Sequence, residues 1–140
     1  MKPPIKQIAA IAAVALLIAT SRAAAPTGEI SVKAQPASVV KTVPAAGDVT
    51  VSPALKEISV TFSKDMQTNR MWSICQISKE SFPEAAGKIH YTNNRTCVMP
   101  VKLEPGKTYV LWFNRAQFNS FRDTDNQPSV PYLLVFQTRK

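Results

Sequence analysis

The sequence predicts an all-β fold, an antiparallel β-sandwich of about seven strands, and three observations lead there. Short apolar stretches with period-two alternation recur between turn residues, as where Ile58, Val60 and Phe62 are set between Ser59, Thr61 and Ser63. That is the pattern of half-buried strands. Outside the N-terminal run from Ile8 to Thr20, no stretch sustains a helical apolar period. Finally, Leu103-Glu-Pro-Gly-Lys-Thr-Tyr109-Val-Leu-Trp-Phe-Asn114 joins a Pro-Gly turn to a strand whose alternate residues are Tyr109, Leu111 and Phe113.

That last stretch narrows the kind of sandwich. In immunoglobulin-like sandwiches a Tyr at the start of the sixth strand buries its ring and returns its hydroxyl to the backbone just upstream, which ties the crossover to the core. Leu103, Pro105, Gly106 and Tyr109 are the residue types such a corner needs. The fold class expected is therefore an immunoglobulin-like antiparallel β-sandwich of about seven strands, preceded by a cleaved signal peptide.

The signal is read from Met1-Lys-Pro-Pro-Ile-Lys6, the apolar run Ile8 to Thr20, and small residues at Ser21-Arg-Ala-Ala-Ala25. A run of thirteen residues falls short of the ~20 that a spanning helix needs. Cleavage is expected after Ala23, with Ser21 and Ala23 at the two small positions, because cleavage after Ala25 would leave Pro26 first. No membrane span is expected after signal removal. Losing Lys2, Lys6 and Arg22 leaves 14 basic against nine acidic residues, a formal charge of +5. The lysines come singly rather than clustered with aromatics, so no nucleic acid is expected as a partner.

Residues 24–37, with Pro26, Gly28 and Pro36 among Ala, Ser and Thr, read as a flexible leader or linker, and 38–140 as the sandwich domain. Within the domain, Val39 to Val43 is a short strand closed by Pro44, and Pro44 to Asp48 turns into Val49-Thr-Val51. Ile58 to Phe62 is the second main strand. Trp72 to Ile77 is the third, with Trp72 and Ile74 on one face. Lys88 to Tyr91 meets Thr96 to Met99 across Asn93-Asn94, since Asn tolerates the left-handed conformation of a tight turn. Tyr109 to Phe113 follows, then a long polar loop from Asn114 to Pro131, and Tyr132 to Phe136 closes the domain. The expected core is Leu55, Ile58, Val60, Phe62, Trp72, Ile74, Val98, Leu103, Tyr109, Leu111, Phe113, Leu134 and Phe136.

The order Val-x-x-x-x-Pro-Ala-x-Gly, Ile-x-Val-x-Phe-Ser-Lys-x-Met, Leu-x-Pro-Gly-x-x-Tyr, Asp-x-Asp-Asn, Phe-x-Thr, running from Val39 to Thr138, resembles the bacterial Ig-like domains of S-layer proteins, the SbsA-type Ig-like family. The resemblance covers about the last hundred residues. It implies a surface or periplasmic sandwich used as spacer, scaffold or adhesive unit. The start of the pattern is also similar to the periplasmic copper-resistance C-type proteins, a remote alternative. Those use an N-terminal His with further His or Met ligands, whereas here the sole histidine is His90 and Met66, Met71 and Met99 are not grouped. No cofactor is expected.

Cys75 and Cys97 are the only cysteines in a chain read as exported. They could close a disulfide worth roughly 3 kcal/mol, or remain two free thiols, and alternation with Trp72 and Ile74 turns Cys75 outward. Asp123-Thr-Asp-Asn126 has the first half of a calcium loop without its Gly or closing Glu, and reads better as an Asx turn. There is no Gly-x-Ser-x-Gly elbow, no His-Glu-x-x-His and no phosphate-cradling glycine loop, so a non-enzyme is expected.

Two functions remain. One is a structural or protein-interaction module docking on an unidentified envelope protein or domain. The other is a module binding a cell-wall polymer, a glycan, through an exposed aromatic platform. If Tyr109, Leu111 and Phe113 face inward, Val110 and Trp112 face outward, and Leu133 and Val135 join them from the last strand. These four are the candidate interface, unless residues 24–37 or the long loop with Phe118 and Phe121 fold over them. Apolar neighbours around Trp112 would favour a protein surface, and polar ones a sugar.

Overall fold

A computed structural model of the chain describes residue 28 and residues 30–140. The expected signal peptide, 1–23, lies outside the described residues. Eight strands follow in order: β1 (Val39–Val43), β2 (Glu57–Phe62), β3 (Ile74–Gln76), β4 (Glu84–Ala85), β5 (His90–Tyr91), β6 (Thr96–Lys102), β7 (Thr108–Phe113) and β8 (Tyr132–Gln137). They form two antiparallel sheets, an all-β sandwich without helices among the described residues. In the five-stranded sheet β1 pairs β2, β2 pairs β6, and the far edge of β6 takes both short strands, β4 and β5. The other sheet runs β3-β7-β8.

Alternation builds the core. Ile58, Val60 and Phe62 of β2 and Tyr109, Leu111 and Phe113 of β7 are buried, while the residues between them are not. Full burial of such side chains contributes about 1.5–3 kcal/mol each. Phe121, from the loop between β7 and β8, sits between the sheets: its ring centroid is 5.0 Å from Phe62 and 6.0 Å from Phe113. Tyr109 stacks on Phe136 at 5.3 Å.

The segment after the first strand reaches the other sheet. After β1 and Pro44, the chain turns at Gly47 (φ 81°) and runs along the free edge of β8. Gly47 N–H donates to Val135 O at 2.7 Å, Gln137 N–H to Asp48 O at 2.8 Å and Val51 N–H to Gln137 O at 3.2 Å. The Val49-Thr-Val51 stretch thus ends a ribbon that covers an open edge, bridged in parallel at Val51 and Thr138.

Several expectations need correction. On β6 the inward residues are Cys97, Met99 and Val101, not Val98. Val98 is buried on the opposite face, level with Ser59 and His90. Trp72 precedes β3 instead of lying in it, and with Leu55 and Ile74 it packs half-buried against the core. The Asn93-Asn94 turn does not use a left-handed Asn. Instead the Asn93 carboxamide oxygen accepts from the N–H groups of Arg95 and Thr96, at 2.8 and 2.9 Å. The stretch expected as a linker is held at its C-terminal end, where Ala37 is buried and its carbonyl accepts from Val130 N–H at 2.9 Å.

Candidate functional site

The pairing of β3, β7 and β8 places the candidate interface residues together. Val110 lies opposite Val135, and Trp112 lies between Leu133 and Cys75. All face away from the core, because their strand neighbours Leu111, Phe113 and Leu134 face into it. Val110, Trp112 and Val135 are half-buried and Leu133 is 38% exposed. Ile77, just past β3, is 57% exposed. The Arg115 guanidinium lies 5.9 Å from the Trp112 ring centroid. Thr108 and Gln137 form the polar pair at the other end. An antiparallel sheet facing water normally shows polar residues there. The outer face of the other sheet does so, with Lys41, Thr61 and Thr96 in one row and the two Thr hydroxyls 3.0 Å apart.

The described part of the leader and the two aromatics of the long loop, the segments weighed as cover for this strip, are placed elsewhere. Residues 33–37, the described end of the leader, bind the Lys64 side of the molecule. In the long loop Phe118 is 61% exposed, whereas Phe121 is in the core. Asn114 explains that split. It takes a left-handed conformation at φ 61°, which Asn tolerates. Its buried carboxamide then grips Phe121 from both sides, accepting from Phe121 N–H at 2.9 Å and donating to Phe121 O at 2.9 Å. The same amide nitrogen reaches Ser129 O and Ser129 Oγ.

The corner residues do structural work. Glu104 N–H donates to the Tyr109 hydroxyl at 2.8 Å, with Tyr109 and Leu103 both buried. Gly106 takes φ 63° after Pro105, and its N–H reaches Arg139 O at 3.0 Å. The Thr138 hydroxyl donates to Glu104 O and accepts from Lys107 N–H, so the turn is clamped to the chain beyond β8.

Two of the resemblance motifs meet at a buried ion pair. Lys64 Nζ lies 2.6 Å from Asp123 Oδ2, with the Asp side chain fully buried, and also donates to the carbonyls of Lys33 and Gln35 at 2.9 Å. Asp123 Oδ1 accepts from the N–H groups of Asp125 and Gln127. Burial alone would raise the Asp123 pKa; the Lys64 ammonium and the two N–H donors outweigh it and hold the carboxyl below its ordinary range. With both oxygens engaged this way, the Asp123 to Asn126 segment has the geometry of an Asx turn.

The two cysteines are free. Cys97 faces inward on β6 and Cys75 outward on β3, so the side chains point to different surfaces of different sheets and do not form the disulfide weighed from the sequence. Desolvation pushes the Cys97 thiol up to about 12 and also raises Cys75. Met66 and Met99 are core residues, and His90 is exposed on β5.

The family of bacterial Ig-like domains matches residues 33–138, from the Lys64-bound segment to the Thr138 clamp. The chain belongs to that family. No curated relative matches the sequence. Among solved structures, this bacterial Ig-like domain is similar to domains 1–6 of the surface layer protein SbsC, at 17% identity and a TM-score of 0.47. It is also similar to the S-layer protein rSbsC(31-844), at 18% identity and a TM-score of 0.48. In both cases the match covers 77% of this chain and 14% of the other.

Proposed function

We propose that this chain is an exported, non-catalytic module of the bacterial envelope that docks on another envelope protein through the outer face of β3, β7 and β8. The observation that carries the reading is the surroundings of Trp112. Its cross-strand neighbours are Cys75 and Leu133, and the next row is Val110 and Val135, so a sugar stacked on the indole would find no ring of hydrogen-bonding side chains. A protein surface fits better, with Trp112 as the buried anchor and the polar pair Thr108 and Gln137 at the rim. Arg115 beside the indole calls for a carboxylate on the partner. Membership of the bacterial Ig-like family supports a scaffold or spacer role in the envelope, and the finer likeness to SbsA-type S-layer modules belongs to the same proposal. The sole histidine, exposed on a strand, supports a non-catalytic role.

A photo-crosslinking residue at Leu133, activated in native envelopes, tests the docking. One discrete protein adduct is expected, lost in the Trp112→Ser, Val135→Thr double variant while the melting temperature stays nearly unchanged. An adduct that survives the double variant, or none in the native envelope, would overturn the proposal. So would a large loss of stability, since the strip would then be core.

A further inference from the structure

We propose that the cleft between the β2–β3 connection and the β4–β5 turn is a binding site for an acidic saccharide. It opens between residues 68–72 on one side and 85–91 on the other, with a volume of about 690 Å³. That is the size of a small-ligand site. Its aromatic part is fixed in place. Trp72 and Tyr91 both pack against the core, and the Tyr91 hydroxyl donates to Met71 O at 2.6 Å, locking the two walls together beside the indole.

The charge around this aromatic part has one sign. Arg70 and Lys88 line the cleft with the neutral Thr68 and Asn69, and no acidic residue does. Neither cation belongs to any of the three ion pairs among the described residues. The pocket beside the Tyr109 corner is different, since Glu84 and Glu104 stand there among Lys79, Lys102 and Lys107. Arg70 carries a further sign of purpose. It takes φ 57°, and among the described residues the other two non-glycine residues with positive φ are Asn114 and Asn126, a type that adopts this conformation readily. Arg does so at a cost that Gly would avoid, and what Arg supplies in return is a cationic side chain on a residue that lines the cleft.

An indole, two unpaired cations and neighbouring amide and hydroxyl groups match one chemistry. The apolar face of a sugar ring lies on Trp72, its hydroxyls meet Thr68 and Asn69, and its carboxylate or phosphate is held by the Arg70 fork with Lys88 beside it. A nucleic-acid strand would need a longer run of cations and more than one stacking platform. The site shares no residue with the proposed docking strip, so either can fail without the other.

Titration calorimetry on the purified protein at low salt tests it, with three probes: tetragalacturonate, a phosphorylated maltotetraose and neutral cellotetraose. One or both acidic probes should bind with a Kd below about 1 mM, at least about tenfold tighter than cellotetraose. The carboxylate and phosphate arms identify the source of the charge. The Arg70→Gly, Lys88→Gln double variant should weaken binding at least about tenfold with an unchanged melting temperature, because Gly suits the backbone at residue 70. Three outcomes would overturn the site: no binding of either acidic probe up to about 10 mM, equal binding of the neutral one, or undiminished binding by the double variant.

Discussion

Lys64→Met removes the one ammonium that faces the buried Asp123 carboxylate, and the structure sets the size of the effect. The Asp123 side chain is 0% exposed and Lys64 13%, at 2.6 Å. Breaking a buried pair by deleting one partner costs about 3–5 kcal/mol, because a charge is left buried without compensation. Two features place the loss at the lower end. Asp123 Oδ1 keeps its N–H donors from Asp125 and Gln127, and the carbonyls of Lys33 and Gln35 belong to exposed residues that water can reach. About 3 kcal/mol is expected, a fall of roughly 10–20 °C in melting temperature for a domain of this size. Asp123→Asn should cost less, since an amide oxygen can still accept from both N–H groups and Lys64 keeps its two carbonyls.

Urea unfolding at pH 7 and at decreasing pH checks both magnitude and sign. The folded-state pKa of Asp123 is depressed, so its stabilisation is present above the ordinary carboxylate range and is lost as pH falls through the folded value. In Lys64→Met the buried carboxyl loses its ammonium and protonates at a higher pH, which relieves the penalty. The gap between wild type and variant should therefore narrow below about pH 4. A loss under about 1 kcal/mol at pH 7, or a gap that does not change with pH, would refute the reasoning.

Tyr109→Phe should cost about 1–2 kcal/mol by urea unfolding, because it leaves the Glu104 N–H without its acceptor, and unchanged stability would show that the corner bond contributes nothing. Asn114→Gly keeps the left-handed backbone but deletes the grip on Phe121 and Ser129; a loss of about 2–4 kcal/mol is expected, and a variant as stable as wild type would mean the loop is held by Phe121 packing alone. Maleimide should modify Cys75 slowly in the native protein and Cys97 only after unfolding, giving two thiols in denaturant without reductant. A count of zero there would restore the disulfide.

Strands that separate core from water were legible in the sequence. β2 and β7 alternate cleanly because one face meets the other sheet and the other face is open, and Tyr109 then fixed the phase of the candidate strip. β6 gave no such signal. Cys97, Val98 and Met99 are all buried, so the period-two pattern vanishes and nothing local shows that Val98 faces away from the core. Phe121 was hidden for another reason. Nothing in its own stretch alternates, and its place in the core depends on a carboxamide seven residues upstream.

The cleft at Trp72 was invisible for the same physical reason on a larger scale. Alternation with Ile74 made Trp72 look like an inward strand residue, and only pairing of β5 with β6 brings the segment ending at Tyr91 across from it. The charges there gave no warning either, since Arg70 and Lys88 stand 18 positions apart in the chain and read as isolated surface cations. Local pattern reports which face of a strand is wet. It does not report which wet residues meet, and that depends on the β5–β6 register and on the Tyr91 hydroxyl bond to Met71 O across the cleft. The strip is the simpler case: the phases of β7 and β8, each readable from its own alternation, turn its four residues outward, and the one pairing of β7 with β8 then joins them.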